Sequence, residues 1–179
     1  MKANFIEHVQ TFTARGSVTA SATRGQGAPR IAERARERLR AVALGAFAVR
    51  SRGAFDQVLE LETERLKSAL PAAGRSWGLS RKLLNIFLRD SLYTIYLRES
   101  FGLARAEEWF EVPLDSVVTN RLAQEPEGQE LPAWPGVKHL TPTESAIYQH
   151  AFRMVARRLG VAPVHLDAWY WGGDRDPAA

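Results

Sequence analysis

One lysine stands in unusual surroundings in this chain. Arginine supplies nearly all of the basic residues, yet Lys82 opens the most apolar stretch, Lys82-Leu-Leu-Asn-Ile-Phe-Leu-Arg89. Apolar surroundings disfavour an ammonium group, and the neutral amine of a lysine is a nucleophile that can form a Schiff base. Arginine cannot do this, because its guanidinium does not deprotonate in proteins. The alternative is that Lys82 extends from a buried helix and keeps its charge in water.

Two aspartates lie at the entrances of predicted helices. Asp115 ends the segment Glu111-Val-Pro-Leu-Asp115, and Asp167 ends Pro163-Val-His-Leu-Asp167. Trp171 follows Asp167 by four residues, which puts both on one face of a helix. Each aspartate is also a good candidate for a helix N-cap, and Trp171 for a side chain that closes the core.

The hydrophobic pattern predicts an all-α protein with about seven helices. The apolar spacing is helical, with proline at the starts and glycine at the ends, and no strand alternation stands out. The longest predicted helix is apolar nearly all round and carries Lys82, Asn85 and Arg89 on one polar stripe. The predicted helices span residues 4–12, 31–49, 55–70, 77–99, 114–122, 143–159 and 165–171.

Composition predicts one globular domain with loose ends. The 179 residues are 45% hydrophobic and 25% charged, which are ordinary values. We expect a short N-terminal helix and flexible linker over 1–30, a compact multi-helix domain over 31–172 and a disordered tail over 173–179. The sequence has no cysteine, which excludes disulfides and thiolate chemistry. With no signal peptide or membrane span in the pattern, we expect a cytoplasmic protein.

The formal charge of +4 is compatible with nucleic-acid binding. It is weak evidence, because an excess of arginine over lysine also follows from a GC-rich genome. The four histidines lie far apart in the sequence and lack metal-ligand spacing. We therefore expect no metal and no cofactor.

Together, these segments resemble the helix-hairpin-helix DNA glycosylase superfamily. Its members place a nucleophilic lysine at the start of a helix and a catalytic aspartate after a Pro-Val-Asp type turn, matched here by Lys82 and Asp115. The long gap between the two and the Pro-x-His-Leu-Asp-x-x-x-Trp segment are most similar to the archaeal 8-oxoguanine DNA glycosylase subgroup. The resemblance covers roughly residues 77–171.

The resemblance implies a helix-hairpin-helix glycosylase-like fold and a set of roles. Lys82 and Asp115 would be catalytic, with Lys82 attacking C1′ of the sugar and Asp115 stabilising the positive charge that develops there. The base-binding residues would be Asp167, Trp171 and His165, although a lone histidine such as His165 is more often structural. The DNA-backbone residues would be Arg75, Arg81 and Arg89. The partner would be double-stranded DNA with a modified purine, 8-oxoguanine in particular, bound by a monomer.

Two alternatives stay open. The chain could be a non-catalytic helical module of the same fold that binds DNA or protein. Lys138, in the turn-like segment Pro135-Gly-Val-Lys138, is a rival nucleophile. It ranks below Lys82 because a hydrophilic helix start follows it.

Overall fold

A computed structural model describes residues 2–23, 25 and 30–172, and side chains from residue 4 to residue 171 within these ranges. Over this part of the chain it contains helices and no β-strand, in one compact arrangement, so the predicted all-α class is confirmed there. Short 3-10 helices at Leu44–Phe47, Ala72–Gly74, Leu103–Trp109 and Pro126–Gly128 connect the α-helices. The α-helices are α1 (Lys2–Ser17), α2 (Ile31–Leu39), α3 (Arg52–Ala69), α4 (Trp77–Tyr93), α5 (Ile95–Phe101), α6 (Ser116–Leu122), α7 (Pro142–Leu159) and α8 (His165–Gly172).

The helix α4 lies at the centre of the molecule and contacts α1, α2, α3, α5 and α7. Its apolar side chains, such as Leu83, Leu84 and Phe87, are fully buried, as expected for a helix that is apolar nearly all round. Its Gly78 allows a close approach, because a Cβ there would lie 2.2 Å from the carbonyl oxygen of Val137. The packing of α4 thus holds its polar stripe, which includes Lys82, against the neighbouring helices.

The predicted helix over 77–99 is two helices. α4 ends at Tyr93, where Thr94 adopts an extended backbone, and α5 then begins at Ile95. The hydroxyl of Thr94 donates to the carbonyl oxygen of Asp90 at 2.8 Å, a local bond that competes with helix continuation. The break at Thr94 changes the direction of the chain just beyond the polar stripe, whose last residue is Arg89.

The predicted helix over 31–49 is also shorter than expected. α2 ends at Leu39, and Gln10 of α1 donates its side-chain amide to the carbonyl oxygens of Arg40 and Val42 at 3.1 and 2.8 Å. These carbonyls are satisfied from another helix, so the chain turns into the 3-10 helix that follows.

The N-terminal segment is more ordered than its composition predicts. α1 continues from the predicted 4–12 into the predicted linker and ends at Ser17. Ala14, Val18 and Ala22 are buried at a spacing of four, and Arg36 donates to the carbonyl oxygen of Val18 at 2.6 Å. The remainder of the predicted linker at 24 and 26–29, like the predicted tail at 173–179, lies outside the described residues.

The remaining helices begin and end close to their predicted bounds. Thr141 and Glu144 form a capping box at the start of α7, and Gly160 ends it with a positive φ of 69°. Within the described ranges, the helices are all too short or too polar to cross a membrane.

Candidate active site

A cavity of about 330 Å³ brings together distant parts of the chain. One wall is α4, and the others are the loop before α6, the helix α8 and the segment that follows α1. Four of the residues predicted to be functional line it: Lys82, Arg89, Asp115 and Asp167, with Trp171 as a fifth at its edge. The volume is in the range of small-molecule binding sites.

Lys82 and Asp115 form a buried ion pair in this cavity. The lysine Nζ lies 3.1 Å from Oδ2 of the aspartate, and the two residues are only 9% and 8% exposed. Ser76 caps α4, so Lys82 is in the second turn of the helix and not in a turn that leads into it. Residues 77–82 are already helical, so Lys82 is not at the very start of the helix as the resemblance implies.

Asp115 caps a helix with one carboxylate oxygen and faces Lys82 with the other. Its Oδ1 accepts hydrogen bonds from the backbone N–H groups of Val117 and Val118, at 2.9 and 3.2 Å, and so caps α6. Its Oδ2 is the oxygen that faces Lys82. The cap orients the carboxylate, and the prediction of a carboxylate at this helix entrance is confirmed.

A second set of charges continues along α4. The guanidinium of Arg89 donates to Asp167 and, through Nε and Nη2 at 2.9 and 2.7 Å, to Asp90. Ser17 closes this network by donating to the other oxygen of Asp90 at 2.6 Å. Asp167 is 1% exposed and accepts a hydrogen bond from the side chain of Arg89. It therefore does not act as the helix cap that was its predicted alternative role.

Trp171 lies at the open edge of the cavity and is 52% exposed. The core-closing role falls instead to Tyr170, whose ring packs against Phe152 with centroids 6.1 Å apart and whose hydroxyl donates to Glu125. Trp169 is 62% exposed and does not line the cavity. An indole face is thus available next to Asp167.

The structure does not bring His165 into the cavity. Its Nδ1 lies 2.9 Å from the hydroxyl of Tyr93, its Nε2 lies 2.9 Å from Glu107, and its ring stacks on that of Tyr93. Both ring nitrogens are thus occupied at the junction of α4, α8 and the 103–109 helix. This geometry matches a structural histidine.

The three arginines predicted to contact the DNA backbone have different surroundings. Arg75 is exposed and donates to the carbonyl oxygen of Leu70. Arg81 is buried, with Nη1 on Thr63, Nη2 on Glu60 and its guanidinium 4.7 Å from the centre of the Trp77 ring. Arg89 is in the cavity wall, as above. Of the three, Arg75 is the one with its side chain at the surface.

Sequence reasoning missed part of this site. Gly16, Ser17, Thr19, Ser21 and Ala22 line the cavity, although their composition predicts a linker. Small residues also allow a chain to pass close to a cavity. The sequence signal that could have identified this segment as packed is the spacing of four between Ala14, Val18 and Ala22, whose side chains are buried. Asp90 was missed too, although it lies eight residues after Lys82 and hence on the same helix face.

Comparison of the chain with protein-family models, curated proteins and solved structures finds no significant match. Within the residues that the structure describes, no three histidine or carboxylate side chains meet as a metal site would require.

Proposed function

We propose that this protein is a DNA N-glycosylase with an associated lyase activity that acts on a modified purine. One observation carries the proposal: an amine and a carboxylate, 3.1 Å apart, share a cavity with a second buried carboxylate and an exposed indole. An enzyme that excises a base through a Schiff base would use all four groups, because it must hold a flipped base and attack its sugar with an amine.

The cavity supports the binding of an extruded base. Its volume of about 330 Å³ suits a single purine, and it opens beside Trp171, whose face can stack on the ring. Asp167 would accept hydrogen bonds from N–H groups on the purine edge. 8-Oxoguanine is our specific proposal, because it carries one more ring N–H donor than guanine, at N7.

Lys82 would act as the nucleophile once it has lost a proton, for which Oδ2 of Asp115 is the adjacent acceptor. Attack on C1′ forms a C–N bond while the glycosidic bond breaks, and the electron pair leaves with the base, which takes up the proton that Asp115 received from Lys82. The carboxylate that Asp115 regains in this way would stabilise the positive charge that develops on the sugar. Opening of the sugar ring gives a Schiff base, and loss of a C2′ proton then expels the 3′ phosphate.

A second candidate is a non-catalytic helical module that binds DNA or protein. The observation that favours it is the pairing of the charges in the cavity: Lys82 with Asp115, and Arg89 with Asp90 and Asp167. Such pairs can also fix the packing of helices without any chemistry. In this case the charged residues that line the cavity would form a purely structural ion-pair network.

A strand-cleavage assay separates the two candidates. The protein is incubated with duplexes that contain 8-oxoguanine, another modified purine or an abasic site, and the products are resolved by length. We expect cleavage at the modified site, loss of cleavage in Lys82→Gln and full cleavage in Lys138→Gln, which removes the exposed rival lysine. If none of the duplexes is cleaved, or if Lys82→Gln cleaves as well as the parent while folded by circular dichroism, the glycosylase proposal fails.

A further inference from the structure

A second cavity, of about 480 Å³, lies away from the candidate active site. It is formed by the start of α3, the second half of α7, the 103–109 helix and the turn before α8. Three of its lining residues are arginines, namely Arg52, Arg153 and Arg157, and the single acidic residue among them is Glu108. The lining thus carries a net positive charge, unlike the first cavity.

Arg153 is the unusual member of this cluster. It is partly buried, and within the described residues no carboxylate forms an ion pair with it. The two carboxylates that act on it from nearby have other partners: Asp56 pairs with Arg52 at 2.8 Å, and Glu111 accepts from Asn85 at 3.0 Å. A partly buried cation without a counter-ion is costly unless something else supplies the negative charge.

The electrostatics of Arg153 agree with this geometry. Burial, and then the guanidinium of Arg52, lower the pKa of Arg153, whereas the carboxylates of Glu111 and Asp56 have smaller effects in the opposite sense. Like charges that converge in a cavity are stabilised by an anion that binds between them. Guanidinium groups are suited to phosphate, which they can contact through two parallel hydrogen bonds.

We propose that this cavity is a phosphate-binding site, with Arg153 and Arg157 as its principal ligands and Arg52 as a supporting charge. Trp109 lines the same cavity, and its indole N–H would be a further donor for a phosphate oxygen. Glu108 is exposed and can turn to solvent when an anion binds. The site is independent of the proposed glycosylase activity, since it shares no residue with the first cavity.

Titration with inorganic phosphate at constant ionic strength tests the site. We expect saturable binding by calorimetry, with a shift of the Trp109 indole N–H resonance that Trp109→Phe identifies by its disappearance. Arg153→Gln should lower the affinity about tenfold or more, the usual effect of losing a charged hydrogen bond. Arg105→Gln, which removes an exposed arginine outside this cavity, is the matched control and should bind as the parent does.

If Arg153→Gln does not fold, Arg157→Gln provides the second test of the site. Arg157 is exposed, so its loss should not affect folding. Absence of saturable phosphate binding, or equal affinity in the parent and in both folded arginine variants, would overturn the proposal. Adenosine monophosphate and an unmodified DNA duplex then distinguish the sources of phosphate. If Arg157→Gln weakens binding of the duplex, the ligand is a nucleic-acid backbone. If it weakens binding of inorganic phosphate and adenosine monophosphate only, the ligand is a small phosphorylated molecule.

Discussion

Nζ of Lys82 lies 3.1 Å from Oδ2 of Asp115, although the two residues are 33 positions apart in the chain. The lysine comes from the second turn of α4 and the aspartate from the N-cap of α6, and both side chains are about nine-tenths buried. The contact joins the central helix to the C-terminal half of the molecule. It is both the proposed catalytic pair and a link that should contribute to stability.

The pair should be energetically coupled. Lys82→Met and Asp115→Asn should each destabilise the protein by roughly 3 kcal/mol, since each leaves one buried group without its partner. This exceeds the cost of under about 1 kcal/mol that a lysine at the edge of a helix would imply. The double variant should lose less than the sum of the two, by about 1–3 kcal/mol, as measured by urea unfolding. Strict additivity would mean that the side chains do not interact in solution.

Trp171 should contribute to the binding of a modified base and little to folding. Trp171→Ala removes a half-exposed side chain, so the melting temperature should hardly change. The affinity for 8-oxoguanine duplex should fall by about tenfold to a hundredfold, the range for one lost base–aromatic stack. Trp169→Ala is the control, because Trp169 is also more than half exposed but does not line the cavity. Equal losses in the two variants, measured by fluorescence anisotropy, would rule out a specific stack.

Arg75 and Arg81 should respond differently to substitution, although both were predicted to contact the DNA backbone. Arg75→Gln should reduce the slope of log affinity against log salt by about 0.9, the effect of one lost phosphate contact. Arg81→Gln should mainly destabilise the fold, by roughly 2–4 kcal/mol, because Arg81 is buried against Thr63, Glu60 and Trp77. Binding measured from 50 to 200 mM salt, beside thermal unfolding, checks both. A stable Arg81→Gln with a reduced salt slope would contradict this division.

Stability should fall at alkaline pH, in part through Tyr170. Burial, and then the hydrogen bond to Glu125, raise the pKa of Tyr170 far above its ordinary value of about 10. Its contribution is therefore fully present below about pH 10 and is lost as the pH rises from there towards the pKa of the folded state, because the unfolded chain releases the proton first. Tyr170→Phe should lose less of its melting temperature between pH 9 and pH 11 than the parent does. Identical losses would show that Tyr170 does not titrate differently in the two states.

The local features of the site could be predicted from the sequence. Asp115 follows Pro113 and caps α6, and Asp167 and Trp171 lie one helical turn apart, because each of these relations is set within a few residues. The apolar surround of Lys82 likewise predicts a core helix, and the side chain is indeed buried there. Helix periodicity and capping preferences are sufficient to predict such features from the sequence.

The long-range features could not be predicted in this way. Gln10 satisfies the carbonyl oxygens beyond α2, and Ser17 donates to Asp90 across 73 positions. Arg89 was expected to contact the DNA backbone, yet it contacts Asp167, 78 positions later. Each of these pairings depends on which helices meet, and a periodic pattern contains no information about that.

The covalent intermediate is the most direct test of the central claim. The unaltered protein is mixed with an 8-oxoguanine duplex, sodium borohydride is added to reduce any Schiff base, and the cross-linked peptide is identified by mass spectrometry. We predict a stable protein–DNA adduct whose modified residue is Lys82, with no adduct on unmodified duplex. An adduct on Lys138 or the N-terminal amine, or no adduct on either an 8-oxoguanine or an abasic-site duplex, would contradict the assignment of Lys82 as the nucleophile.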